Sequence, residues 1–310
     1  MSKKEIKQSN KPLVLVILGP TASGKTSLGV ELAKIRQGEI ISADSRQVYK
    51  GMDIGTGKDL SEYGDNVKYH LIDIVKPSEE FNLAKYQRLA DEAIKDVLSR
   101  KHLPIIVGGS GLYLQAIVDN YALSEAKPNL ERRIELEALG REELFLRLEK
   151  LKPDFAGKLN NSEKNNARRL ARYIEIFEYE GAAVDEKKES PYDFLVLGLE
   201  ISDEKMRERI HARIIKRLDN EDMVGEVRRL NDEGVDWKRL ISFGLEYKFI
   251  SYYLLEKLEY DEMIEKLTDA SYRFAKRQKT WFKRWEKQGR KIHWIKDVSE
   301  AEDLIGKNTY

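Results

Sequence analysis

Residues 13–26 constrain this chain more than any other stretch. Leu13-Val14-Leu15-Val16-Ile17-Leu18 is a short apolar run, and Gly19-Pro20-Thr21-Ala22-Ser23-Gly24-Lys25-Thr26 follows it at once. A buried strand that enters Gly-x-x-x-x-Gly-Lys-[Ser/Thr] and leaves it in a helical pattern (24–36) is the context of a phosphate-binding loop. The glycines let the backbone wrap closely, so that successive N–H groups point at phosphate oxygens. The start of the helix adds a favourable dipole. Lys25 supplies a point charge, and the Thr26 hydroxyl is placed to ligate Mg²⁺. A chance match in an ordinary loop would not need the strand before it and the helix after it. The loop alone leaves the phosphate compound open: a kinase, a GTPase and a transferase that releases diphosphate would all use it.

The same alternation continues downstream. Glu39–Ala43, Leu103–Gly109, Phe194–Glu200 and Ile292–Ile295 read as strands, and Tyr69–Val75 is a further candidate. Helical periodicity fills 82–100, begins again at Leu112, and dominates 204–287. Strands alternating with helices predict an α/β fold: a P-loop NTPase-like parallel sheet flanked by helices. Ser124 to Glu189 differs. It is charged and helical in pattern without a convincing strand, as in Asn165-Asn166-Ala167-Arg168-Arg169-Leu170, and Gly181 is a candidate C-cap. Because a strand of the first sheet returns at Phe194, this segment is expected to be an inserted all-helical subdomain. The expected division is a catalytic core over 12–123, the insertion over 124–190, and the rest of the core over 191–296. No internal repeat or low-complexity segment is visible.

Charge narrows the partner. The 310 residues carry 55 Lys/Arg and 54 Asp/Glu, so the net charge is only +1. Ala270 to Lys296, however, holds ten of the cations and one acid, Glu286, which leaves the remainder about 8 charges negative. A basic stripe on an acidic body points to a local polyanion. Arg277 and Arg284 belong to that stripe. Phe274, Trp281 and Trp285 fall on one helical face and read as core, whereas the cations read as phosphate contacts. There is no cysteine, which removes disulfides and thiolate metal sites. His70, His102, His211 and His293 show no metal spacing and read as structural. The polar residues 1–12 lack the apolar centre of a signal peptide, and no apolar run reaches membrane length. A cytoplasmic location, no membrane partner and a monomer are expected.

Asp44 closes the second strand, and Ser45, Arg46 and Gln47 follow. In open α/β sheets that edge faces the ligand crevice. A carboxylate there can hold Mg²⁺ through water or act as a general base. The three polar residues suit the edge of a planar heterocycle. The competing reading is a helix N-cap at Asp44 with a solvated first turn. Gly108, Gly109 and Gly111 after the fourth strand allow close backbone approach, and Asp73 is a weaker candidate for lining the site.

Taken in order, GPTASGKT, ISADSRQVYKGMDIGTGK, YHLIDI, PIIVGGSGLYLQAI, NNARRLARYIEIFEYEG and RFAKRQKTWFKRW resemble the tRNA dimethylallyltransferases (tRNA isopentenyltransferases) across most of residues 12–296. That resemblance implies dimethylallyl diphosphate as donor, Mg²⁺ as cofactor, and as acceptor the exocyclic amine of the adenine 3′ of a tRNA anticodon. It implies that Asp44 is the general base and that Asp44, Ser45, Arg46 and Gln47 contact the target adenine. It assigns diphosphate binding to Gly19 through Thr26, with Lys25 and Thr26 also catalytic. Ser110 stands where the family has a channel-lining threonine. Arg168, Arg169, Leu170 and Arg172 match its anticodon-contacting stretch. Ile210 to Arg217 matches a helix whose arginine holds the diphosphate, with Arg217 preferred and Arg213 as the second candidate. Asp44 and Thr26 are the implied metal ligands.

The chain departs from the family at Ser242-Phe243-Gly244-Leu245-Glu246-Tyr247-Lys248, where a tyrosine normally follows the glycine. It also has about three residues fewer between Arg217 and Glu226. No Cys-rich finger is present, as expected of a bacterial-type enzyme. The alternatives are an adenylate isopentenyltransferase, a small-molecule P-loop kinase, and a non-catalytic RNA-binding protein. The helical insertion and the cationic stripe favour tRNA over a free nucleotide.

Overall fold

The computed structural model describes residues 11–64, 66–123, 129–180, 186–187 and 189–308. The predicted C-cap at Gly181 and most of the polar 1–12 stretch lie outside them. The chain divides into two compact units, one formed by 1–118 with 190–310 and the other by 119–189.

The first unit is built on a six-stranded sheet. β1 (Leu13–Leu18) leads through α1 (Lys25–Arg36) to β2 (Gly38–Ala43), then to the short β3 (Tyr69–His70). α2 (Leu83–Ser99), β4 (Leu103–Gly108) and α3 (Gly111–Val118) follow. After the insertion come β7 (Asp193–Leu199) and, much later, β8 (His293–Ile295). The strand order is β3-β2-β4-β1-β7-β8, and every neighbouring pair is parallel. The reason lies in the residues. β1, β2 and β4 are almost wholly buried, as strands covered on both faces must be. Val14, Val16 and Leu18 point to one core layer, and Leu15 and Ile17 to the other. From β1 the chain first builds toward β2, and after the insertion it builds the other way, through β7. The carboxyl edge beside β1 is therefore a switch point where a crevice opens.

The expected strand over Tyr69–Val75 is cut to two residues. Its apolar alternation is real, since Leu71 packs into one layer and Ile72 into the other. The backbone nonetheless turns left-handed at Leu71 (φ 63°) and Asp73 (φ 56°), which no strand can follow. Val75 then rejoins only through an isolated bridge to Tyr49.

Behind β7 the first unit is helical: α9 (Asp203–Asn220), α10 (Met223–Asp232), α11 (Trp237–Phe243), α12 (Leu245–Leu254) and the 28-residue α13 (Tyr260–Lys287). They share a third core of Met206, Ile210, Tyr247, Met263 and Leu267. Of the expected aromatic face, Trp285 is buried, whereas Phe274 and Trp281 are half-buried; Phe282, outside that face, is sealed in the core. A last helix, α14 (Val298–Asn308), covers α1 and is anchored by Ala301 and Ile305.

The second unit carries α4 (Leu130–Glu137), α5 (Arg141–Leu151), α6 (Pro153–Lys158), α7 (Asn161–Lys164) and α8 (Ala167–Glu180). It is helical except at its ends, where β5 (Tyr121–Ala122) and β6 (Glu186–Lys187) form a short antiparallel pair. Leu136, Leu144, Leu148, Leu170 and Ile174 make its core. Leu170 has no exposed surface. This corrects its expected role: a side chain sealed in that core holds α8 in place and cannot touch RNA. Arg168 and Arg169 are exposed on the same helix, whereas Arg172 is half-buried and paired with Glu175 at 3.4 Å.

Among the described residues, no helix is long and apolar enough to cross a membrane.

Candidate active site

The phosphate loop caps the middle of the sheet. Gly24 sits at φ 95°, a left-handed turn that lets α1 start with its N–H groups facing the crevice. Lys25 is half-buried, its ammonium 3.4 Å from the Pro20 carbonyl. Desolvation lowers its ammonium to about 8, the Asp44 carboxylate opposes that fall, and Arg213 adds to it. Lys25 and Asp44 thus share one electrostatic site, although β4 separates their strands.

The cavity at this edge is lined by Thr21, Asp44, Ser45, Arg46 and Ser110 from the sheet side. Arg213 and Arg217 reach it from α9, Leu245 and Glu246 from α12, and Ser271 and Phe274 from α13. Three buried polar atoms near it have no hydrogen-bond partner: Ser23 Oγ, Arg213 Nε and Ser271 Oγ. Buried polar groups are normally paired, so this cluster is suited to a polar ligand. Two of the three flank the phosphate loop.

Both candidate arginines line the cavity. Arg213 Nη2 donates to Thr21 Oγ1 at 2.7 Å, which sets it against the phosphate loop. Burial pulls its guanidinium down to about 10, with Arg217 nearby contributing. Arg217 is buried and leans on Asp59 at 3.3 Å. Arg209, which was not expected, grips the loop from behind by donating to the Ala22 and Ser23 carbonyls at 3.3 and 3.4 Å.

Asp44 is no helix N-cap. Residues 45–48 form a turn, and Asp44 Oδ1 accepts from the Arg46 backbone N–H at 2.8 Å, an Asx turn that aims the carboxylate. Ser110 Oγ accepts from the Ser45 N–H at 3.3 Å, tying β4's turn to β2's. Arg46 reaches Glu246 at 3.5 Å and lies 5.9 Å from the centre of the Phe274 ring. Gln47 does not line the cavity. Its amide accepts from Ser42 Oγ at 2.8 Å and donates to the Gly57 carbonyl at 3.0 Å.

Beside Arg209, sequence reasoning missed three further residues that shape the site. Gln278, buried on α13, accepts from the Thr21 N–H at 2.8 Å and donates to the Gly109 carbonyl at 2.9 Å. It clips the phosphate loop to the turn after β4. A side chain at Gly109 would meet Gln278 Nε2 at 2.4 Å, and one at Gly111 would meet Trp281 at 2.3 Å. The close approach that these glycines permit is therefore that of α13. Glu226 is buried and accepts from the Asp53, Ile54 and Gly55 N–H groups and from the Tyr247 hydroxyl. Lys58, also buried, donates to the Tyr49 carbonyl and to Asp53 and Asp73. These two hold the 49–58 loop beside the cavity. Lys58 closes the motif ISADSRQVYKGMDIGTGK, which gave it no role of its own, and the signal for Glu226 was its place in a charged stretch, which reads equally as solvated surface.

Phe274 lines the cavity and is only half-buried, so it is not the simple core residue expected. Arg277 and Arg284 are exposed on α13, over the Phe274 and Trp281 rings. Among the described residues, no cluster of three or more His, Asp or Glu side chains could hold a metal.

A phosphate loop with an aimed carboxylate, one buried arginine and one half-buried arginine across one crevice defines a P-loop-like protein. The family model for IPP transferase matches residues 47–285. A tRNA dimethylallyltransferase of Pelobacter propionicus is 45% identical over 96% of this chain and 95% of its own. One from Geotalea uraniireducens is 44% identical over 95% and 97%. A crystal structure of the Bacillus halodurans tRNA isopentenylpyrophosphate transferase superposes with a TM-score of 0.70 at 35% identity, covering 96% of both chains. A eukaryotic dimethylallyltransferase acting on tRNA gives 0.76 at 26% identity, over 93% of this chain and 75% of that one. The chain belongs to the tRNA dimethylallyltransferase family.

Proposed function

We propose that this enzyme transfers a dimethylallyl group from dimethylallyl diphosphate to the exocyclic amine of the adenine 3′ of a tRNA anticodon. The observation that supports the site assignment is the meeting of Thr21 of the phosphate loop, Asp44 and Arg213 in one cavity, with Ser23 Oγ and Arg213 Nε unpaired beside it.

The chemistry explains these parts. An adenine amine is a weak nucleophile because its lone pair is delocalised into the ring. The allylic C–O bond breaks with its electron pair going to the diphosphate, the N–C bond forms, and the amine proton passes to Asp44. The loop N–H groups, Lys25 and Arg213 stabilise the charge that grows on the leaving diphosphate. The Asx turn at Asp44 fixes the base where the amine must enter. When bound, Mg²⁺ neutralises part of the diphosphate charge. The oxygen donors of Thr26 and Asp44 would hold that hard cation, which takes oxygen ligands and usually keeps several waters and substrate phosphates. The target base leaves its stack to reach this crevice, more cheaply from a loop than from a duplex. Arg168 and Arg169 on α8 and the exposed cations of α13 are the proposed phosphate contacts, and tRNA affinity then falls steeply with salt.

The test is an acceptor assay with labelled dimethylallyl diphosphate, unmodified tRNA, AMP and ATP. Label is expected on tRNA. Label on AMP alone, or phosphate transfer from ATP, would overturn the proposal.

A further inference from the structure

The cavity walls are mostly polar or charged: Thr21, Asp44, Arg46, Arg213, Arg217 and Glu246 are typical. A prenyl tail is a small hydrocarbon, and burying it against such groups would strip their hydration without replacement. Two large apolar side chains break the pattern, Leu245 and Phe274. We propose that Leu245 and Phe274 form the seat of the prenyl tail, and that Leu245 sets the chain length the enzyme accepts. This rests on the proposed prenyl transfer.

The backbone supports the assignment. Leu245 opens α12 at φ 41°, directly after Gly244 at φ 72°. A leucine rarely adopts a left-handed conformation, and such strain persists where the surroundings over-determine it, often at ligand-binding positions. Glycine would take that conformation freely, so the leucine contributes a side chain in spite of its backbone. It is half-buried and lines the cavity. The next residue, Glu246, is turned to Arg46 at 3.5 Å, and Arg46 in turn lies 5.9 Å from the centre of the Phe274 ring. Arg277 lies 5.8 Å from the same ring centre. Arg46 lies beside the ring from the turn after β2 and Arg277 from α13 itself, and the Arg46–Glu246 pair ties that turn to the start of α12. The apolar seat is thus fastened by charged groups that do not themselves suit a hydrocarbon.

The experiment compares kcat/KM for dimethylallyl (five-carbon) and geranyl (ten-carbon) diphosphate on one unmodified tRNA, for the wild type, Leu245→Gly and Phe274→Leu. Glycine relieves the left-handed backbone, so Leu245→Gly is expected to fold. The wild type favours the five-carbon donor. Leu245→Gly shifts the geranyl-to-dimethylallyl ratio toward geranyl by about tenfold or more, as expected when a few apolar carbons are removed from a wall. Phe274→Leu weakens both donors through KM, with the KM for tRNA little changed. An unchanged ratio in Leu245→Gly overturns the proposal, and a raised tRNA KM beside that unchanged ratio would place Leu245 against the acceptor. No transfer to tRNA by the wild type from either donor would instead sink the underlying prenyl-transfer reading.

Discussion

Two carboxylates bracket β2 and meet opposite fates. Glu39, near its start, is 2% exposed. Arg100 embraces it with two nitrogens at 3.1 and 2.7 Å, and His70 and His102 lie at 2.8 and 2.7 Å. Burial alone would raise its carboxyl, but these hydrogen bonds outweigh it and hold the group at about 2, below the ordinary 4.5. Asp44, one residue past the strand's end, keeps an open face on the cavity. Its recorded hydrogen bond is to its own turn, and its cationic neighbour Lys25 has been desolvated. A carboxylate saturated with donors anchors the fold. One left under-committed beside a destabilised cation is available to a substrate.

The comparison breaks most readily at Asp44. Asp44→Asn keeps the shape and the Asx turn but cannot take a proton, so turnover should fall about 10²–10⁴-fold while tRNA binding, read by filter retention, stays nearly intact. Arg213→Ala removes a fixed charge from the leaving diphosphate. It should lower kcat/KM for the donor about 10²–10³-fold, and by more than Arg217→Lys does.

At the other end, Glu39→Gln puts a neutral amide against Arg100, which stays a third exposed and paired with Asp96. Loss of the buried carboxylate's charge-assisted hydrogen bonds should cost about 1.5–3 kcal/mol in denaturant unfolding, with turnover per folded molecule unchanged. The pH dependence follows from the direction of the shift. A carboxyl whose folded value is depressed stabilises fully above its unfolded value and loses that stability as pH falls through the folded one. The difference between wild type and Glu39→Gln should therefore shrink as pH falls from 4.5 toward 2. The smallest effect is expected at Gln278. Gln278→Leu leaves the Thr21 N–H and the Gly109 carbonyl without their side-chain partner, which should cost about 1–3 kcal/mol of stability and raise the donor KM more than it lowers kcat.

The sequence shows one of these two carboxylates and hides the other. Asp44 is legible because it follows an apolar run and precedes a polar triplet at an edge that the phosphate loop already marks. Glu39 sits inside a strand, and its partners at 70, 100 and 102 come from β3, the end of α2 and the turn before β4. Only the strand order brings them together. The same holds for Gln278 and Glu226, whose partners lie 257 and 173 residues away. Short-range patterns hold: β1, β2, β4 and α2 stand where periodicity puts them, and of the aromatic face of α13 only Trp285 is sealed in the core. Where two left-handed residues interrupt an apolar alternation, as at Leu71 and Asp73, the pattern survives and the strand does not. Leu170 shows the converse. A motif match placed it among RNA contacts, but its position on α8 faces the core.

The most direct test crosses the two readouts. Single-turnover prenyl transfer and unfolding free energy are measured for Asp44→Asn and Glu39→Gln in the same buffer. Asp44→Asn should lose at least about 10²-fold in rate and less than about 0.5 kcal/mol in stability, and Glu39→Gln should do the reverse. Turnover of Asp44→Asn within about tenfold of wild type would contradict the account, since a general base typically contributes more than that.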